Sequence, residues 1–227
     1  MSLMSGVVER SGLTALAAGF AVREGDPELT SVTRAMPSGT LRIDTQTLVG
    51  AVGEIRMACI QSPKIDIVTV FFYPQAALAL PVYAMEFVLL GTRPIVAVMD
   101  LVAPANDPAQ STALQLLTSA HQRAPALINA DDAPDWYAGS RSGHDFFIRP
   151  TGREQFDELA AVHAGLWEAL LAAPQPASRP ALAQADFVEF VNHYKHHHKT
   201  HSPGLPLMTR SFGEAWTRRY LNECFFA

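Results

Sequence analysis

From Gly39 to Gly50 the chain alternates. Leu41, Ile43, Thr45, Thr47 and Val49 fall on one side, Arg42, Asp44 and Gln46 on the other. This two-residue period is that of a half-buried strand. Glu54–Gln61 reads as a second strand. Ile65–Tyr73, rich in β-branched and aromatic residues and closed by Pro74, reads as a third. Val82–Leu90 and Pro94–Val102 follow, separated by Gly91-Thr92-Arg93, a short turn of hairpin type. The spacing therefore predicts consecutive strands across residues 39–102. Short connections favour an antiparallel meander, because parallel neighbours need crossovers of about a dozen residues or more.

The period then changes. Pro108–Gln122 has helical spacing, and Asp131–Ser142 is a loop rich in Asp, Pro, Gly and Ser. Phe146–Pro150 reads as a last short strand. Gly152–Ala172 predicts an amphipathic helix with Phe156, Leu159, Ala160, His163, Leu166, Trp167 and Leu170 on one side. Ala173–Pro180 reads as a proline-rich linker, and Ala181–Lys199 and Met208–Phe226 as two further helices packing on the same sheet. Strands followed by helices predict an α+β fold with helices covering a mostly antiparallel sheet. Nothing forces a boundary, so residues 1–227 read as one domain.

Composition narrows the function classes. Of 227 residues, 48% are apolar and 17% charged, which predicts a packed core and excludes disorder as the main state. A net charge of −5 argues against a chain built to hold nucleic acid. Cys59 and Cys224 are too few for a disulfide framework and read as free thiols in a reducing compartment. No apolar run reaches the roughly 18–20 residues that span a bilayer. Met1–Gly19 lacks the cleavage pattern of a signal peptide. A cytoplasmic monomer with no membrane partner is the default expectation.

The chain has no GxGxxG, P-loop, CxxC, G-x-S-x-G or H-E-x-x-H motif. Three features carry candidate chemistry. The run His193–His201 puts His193 and His197, and His197 and His201, one helical turn apart. Such spacing suits a metal, a ligand-facing surface, or simply a solvated helix end where His and Lys complement the dipole. No acidic or Cys ligand stands next to the run, which disfavours the metal. Glu86 interrupts the apolar run Val82–Leu90 and shares a strand face with Val82, Ala84, Val88 and Leu90. It is either an edge position or a carboxylate aimed into a pocket, where burial would raise its pKa and make it a proton donor. Asp100, near a strand end, reads as structural. Finally, Lys195, Lys199, Arg210, Arg218 and Arg219 face only Glu214 between His193 and Tyr220. This local basic patch suits an anionic ligand or an acidic partner.

Three stretches together resemble the ferredoxin-dependent bilin reductases. The first is Ile65–Leu101, with its aromatic-Pro strand end, Leu80-Pro81-Val82-Tyr83, a carboxylate, and Ala97-Val98-Met99-Asp100-Leu101. The second is Phe146–Pro150 after a loop containing Trp136. The third is Ser211–Leu221, followed by Cys224-Phe225-Phe226. The resemblance runs from about residue 39 onward. It implies a three-layer α/β/α sandwich, with a linear tetrapyrrole lying between the central sheet and the C-terminal helices. It also implies no bound flavin or metal, electrons from a [2Fe-2S] ferredoxin, and protons from the protein.

Carried over by position, the family's catalytic aspartate falls on Glu86, and the His or Asn of the preceding strand falls on Thr69. A second aspartate falls on Ser202, preceded by His201. The extra glutamate of phycocyanobilin-forming members falls near Ile60. The related red chlorophyll catabolite reductases use Glu where Glu86 stands. The resemblance thus implies Glu86 as the main proton donor, with His201, joined by His197 or His198, in place of the second aspartate. Arg149, Lys199 and Arg210 are candidate propionate partners by charge, and the basic C-terminal surface is a candidate ferredoxin dock. A reductase of another open-chain tetrapyrrole, such as a chlorophyll catabolite, and a bilin-binding protein without catalysis remain alternatives.

Overall fold

The computed structural model describes residues 3–37, 39–172 and 177–227. The chain begins with α1 (Leu3–Ala17), β1 (Ala21–Arg23), α2 (Pro27–Thr30) and β2 (Ser31–Met36). The meander follows as β3 (Gly39–Gly50), β4 (Gly53–Gln61), β5 (Ile65–Pro74), β6 (Val82–Leu90) and β7 (Arg93–Val102). Then come α3 (Ala109–Arg123), α4 (Asp135–Ala138), β8 (Phe146–Ile148), α5 (Arg153–Leu171), α6 (Ala181–His201), α7 (Leu205–Phe212), α8 (Glu214–Tyr220) and a π-turn (Leu221–Phe225). The sheet runs β1-β3-β4-β5-β6-β7-β8, with β2 also on β3, and every pairing is antiparallel.

Both faces of the sheet are covered. Leu48, Met57, Val70, Tyr83, Phe87 and Met99 pack under α1, α3 and α5. Ile43, Ala58, Phe71, Ala84 and Val102 pack under α6, α7, α8 and the π-turn. That double burial is why β5 and β6 read as near-continuous apolar runs while β3, with solvent on part of one side, keeps its alternation. The predicted α+β fold with a central antiparallel sheet between helical layers is the observed one.

The structure adds or corrects several elements. α1, β1 and β2 are new; β1 and β2 are mostly exposed, so neither shows an amphipathic alternation. The helix predicted over Met208–Phe226 is broken at Gly213, whose φ of 87° favours glycine. α5 and α6 lie on opposite faces of the one sheet. Of the linker predicted between them, residues 173–176 lie outside the described residues. The rest is tightly held: Ser178 bridges to Leu78, and the Arg179 backbone N–H donates to the Ala77 carbonyl. The Arg179 guanidinium is buried against Asp107 and donates to the carbonyls of Ala76, Leu78 and Leu80. It also lies 3.7 Å from the centre of the Phe187 ring. Among the described residues no helix is long and apolar enough to cross a membrane.

Candidate active site

A cavity of about 340 Å³ lies between the centre of the sheet and α6. Its floor comes from β5, β6 and β7, where Thr69, Glu86 and Val98 stand directly opposite one another. Period-two alternation puts all three on the face that meets the C-terminal helices. Tyr194 and His198, one turn apart on α6, form the roof. Pro134, Trp136 and Tyr137 close one side, Phe225 and Phe226 from the π-turn another, and Ser202 and Arg149 stand at its margins.

Glu86 is half-buried, and Thr69 Oγ1 donates to its Oε2 at 3.2 Å. Burial pushes the Glu86 carboxyl above its ordinary value, and the Thr69 hydrogen bond opposes this only in part. The shift runs in the direction a proton donor needs. His198 is packed among Phe71, Trp136, Tyr194 and Phe226, with ring centres 4.4–6.2 Å away. Its buried Nε2 has no hydrogen-bond partner among the described residues. Burial lowers its pKa to about 4, so the imidazole is neutral at physiological pH. A buried ring nitrogen without a partner at a cavity wall leaves room for a polar atom there, of an ordered water or of a ligand.

The structure thus brings Glu86, Thr69, His198, Ser202 and Arg149 to one cavity. It does not bring the other candidates there. His201 is exposed at the end of α6, where its Nδ1 meets Thr200 Oγ1 and the His197 carbonyl. Its ring stacks on His197, not on the cavity. His197 Nε2 donates to the Trp136 carbonyl at 2.5 Å and so ties α6 to the cavity's side wall. Lys199 faces a separate hollow between α6 and α8, and Arg210 is exposed on α7. Arg149 reaches the cavity margin, but its Nε and Nη2 are both engaged by Asp132.

Two further groups bear on the site. Asp100, diagonal to Glu86 on the same sheet face, is buried and accepts from the Ser142 N–H at 2.8 Å, the Ser142 hydroxyl at 2.5 Å and the Leu101 N–H at 2.8 Å. Burial raises it to about 7 despite these donors. It braces the loop that carries Trp136 and Tyr137. The basic patch is weaker than its sequence count suggests. Arg219 pairs with Asp26, Glu28 and Glu223, two of which come from the N-terminal segment. Lys195 is half-buried over the Tyr73 ring. Lys199, Arg210 and Arg218 remain outside any ion pair among the described residues. Among the described residues no three His, Cys, Asp or Glu side chains converge as a metal site.

Of the cavity's aromatic walls, Trp136, Phe225 and Phe226 stood in the resembling stretches without a role, and Tyr137 and Tyr194 were not singled out. Tyr194 shares the α6 stripe with Phe187 and His198 at spacings of seven and four, a signal masked by the polar His-rich run around it. Phe225 and Phe226 reach the cavity through a π-turn, which no simple period announces.

Comparisons with known proteins agree with this architecture. No curated protein matches the chain. In structure it is similar to selenomethionine-labelled phytochromobilin synthase from tomato in complex with biliverdin, with a TM-score of 0.77 at 13% identity. That match covers 98% of this chain and 82% of the tomato one, and shows a shared fold. The family model described as ferredoxin-dependent bilin reductase matches residues 26–227, starting earlier than the motifs alone indicate. The chain, with a carboxylate and an unpartnered imidazole between its sheet and C-terminal helices, belongs to the ferredoxin-dependent bilin reductase family.

Proposed function

We propose that the protein reduces a linear tetrapyrrole, biliverdin or a dihydrobiliverdin, with electrons from a [2Fe-2S] ferredoxin. Reducing one double bond takes two electrons and two protons. Ferredoxin delivers the electrons singly, and the protons come through the protein. Glu86 is the main proton donor: it lines the cavity, its carboxyl is held toward the protonated form, and Thr69 fixes one oxygen and leaves the other for the pigment. His198 is neutral and offers its free Nε2 to a pyrrole nitrogen or lactam oxygen. His198 takes the place first given to His201. Thr69 orients Glu86 and does not titrate.

The observation that carries this reading is the pairing of Glu86 with the orphaned His198 Nε2 across one aromatic-walled cavity, in a chain of this family. The deciding experiment is a visible spectrum of the purified protein with biliverdin, followed by anaerobic addition of reduced ferredoxin. A pigment band that forms on mixing and is replaced by a reduced product supports the reading. Binding without turnover favours a pigment-binding protein, in line with Thr69 and Ser202 at positions where titrating groups would serve. No binding removes biliverdin and points to another open-chain tetrapyrrole.

A further inference from the structure

A second cavity, of about 640 Å³, adjoins the first. Tyr194 lines both. The rest of the partition is the contact in which His197, facing the second cavity, donates to the carbonyl of Trp136, facing the first. The two differ in chemistry. The first holds a carboxyl, a neutral imidazole and a single cation, Arg149, already engaged by Asp132 through two nitrogens. The second is rimmed by Arg141, His144, His193 and His197 over a floor that includes Leu101, Leu117 and Phe190, with no carboxylate among its lining residues. Among the described residues Arg141 gives only its Nε to Asp145, at 2.9 Å, so both terminal nitrogens stay available. The Ser142–Asp100 brace next to it fixes the loop that presents it.

An open-chain tetrapyrrole with two propionates exceeds a drug in size, whereas 340 Å³ lies near the low end of the roughly 300–1,000 Å³ typical of drug-sized sites. Two carboxylates also call for cations, and the one that lines the first cavity, Arg149, is shared with Asp132. We propose that the second cavity is the carboxylate-receiving end of the same binding site. Arg141, with His193, takes the propionates of a pigment whose reacting rings lie over Glu86, and the His197–Trp136 contact between the two cavities opens to admit it. This inference rests on the functional reading above and replaces Arg149, Lys199 and Arg210 as the propionate partners. A bidentate guanidinium–carboxylate contact is the strongest the rim offers.

The test is absorbance titration of the full chain with biliverdin and with its dimethyl ester, which has the same rings but no propionate charge. Arg141→Gln should weaken the acid roughly tenfold, the effect of one charge-assisted hydrogen bond, and leave the ester unchanged. Because Arg141 touches a buried aspartate, the exposed His193→Ala provides a second variant that leaves the fold intact. It should weaken the acid roughly threefold and spare the ester. Equal shifts for acid and ester, or none in either variant, overturn the inference while leaving the functional reading standing. A wild-type protein that binds neither pigment overturns both.

Discussion

Each face of the sheet buries one histidine, and the two are built in opposite ways. On the α1–α5 side, His163 is fully satisfied. Its Nδ1 meets the Tyr83 hydroxyl at 2.7 Å and its Nε2 the Ser11 hydroxyl at 2.8 Å, and Trp167 Nε1 donates to the Ser11 carbonyl beside it. On the α6 side, His198 is nearly as buried, yet its Nε2 bonds to nothing among the described residues. Burial lowers both pKa values, to about 3 for His163 and about 4 for His198. A shifted pKa therefore does not tell the two apart; hydrogen-bond satisfaction does. A closed polar chain ties helix to sheet, whereas an open one awaits a partner.

The contrast can be broken in graded ways. Glu86→Gln should lower ferredoxin-driven pigment reduction by at least about 100-fold while pigment binding, followed by absorbance, persists. His163→Leu strands the Tyr83 hydroxyl in the core. Urea unfolding should show a loss of about 2–4 kcal/mol, with pigment affinity unchanged. His198→Leu should do the reverse, weakening the pigment roughly tenfold and leaving stability within about 1 kcal/mol, since an unsatisfied polar atom is replaced by an apolar one.

Acid should separate the histidines further. Each has an ordinary pKa of 6.5 when unfolded and a depressed one when folded, so the unfolded chain binds more protons between those values. The stability they contribute is fully present above about pH 6.5 and is lost as pH falls toward 4 and 3. Unfolding curves across that window should be less acid-sensitive in His163→Leu than in the wild type. The smallest effect belongs to His201→Ala. With the ring exposed outside the cavity, the rate and product of pigment reduction should not change.

How much of this could be read from the chain depended on whether a period carried it. Strands over 39–102 announce themselves because alternation and β-branching repeat for nine or more residues at a stretch. β1 is too short and too exposed to do so. Glu86 was legible as a lone charge in an apolar run, and its partner Thr69 followed from the family resemblance. What separates His198 from His201 was not legible. They lie three positions apart in one polar run, and only the rotation of α6 against the sheet sends one inward and the other to solvent. Two of the three acids that offset Arg219, Asp26 and Glu28, lie nearly two hundred residues away in sequence, beyond any local count of charge.

The Arg179 guanidinium has a mechanical consequence. It grips Asp107 at the entrance to α3, three carbonyls of the β5–β6 connection, and the Phe187 ring of α6. One side chain therefore touches the outer layer on one side, the sheet's own connection, and the outer layer on the other. Loosening the first abandons a buried ion pair, loosening the second strands carbonyls, and loosening the third gives up a close cation–ring contact, so motion of the layers is coupled at that end. At the opposite end, α6 meets the Trp136 loop through the His197–Trp136 carbonyl contact, and that loop is in turn braced to the sheet by Ser142 on Asp100.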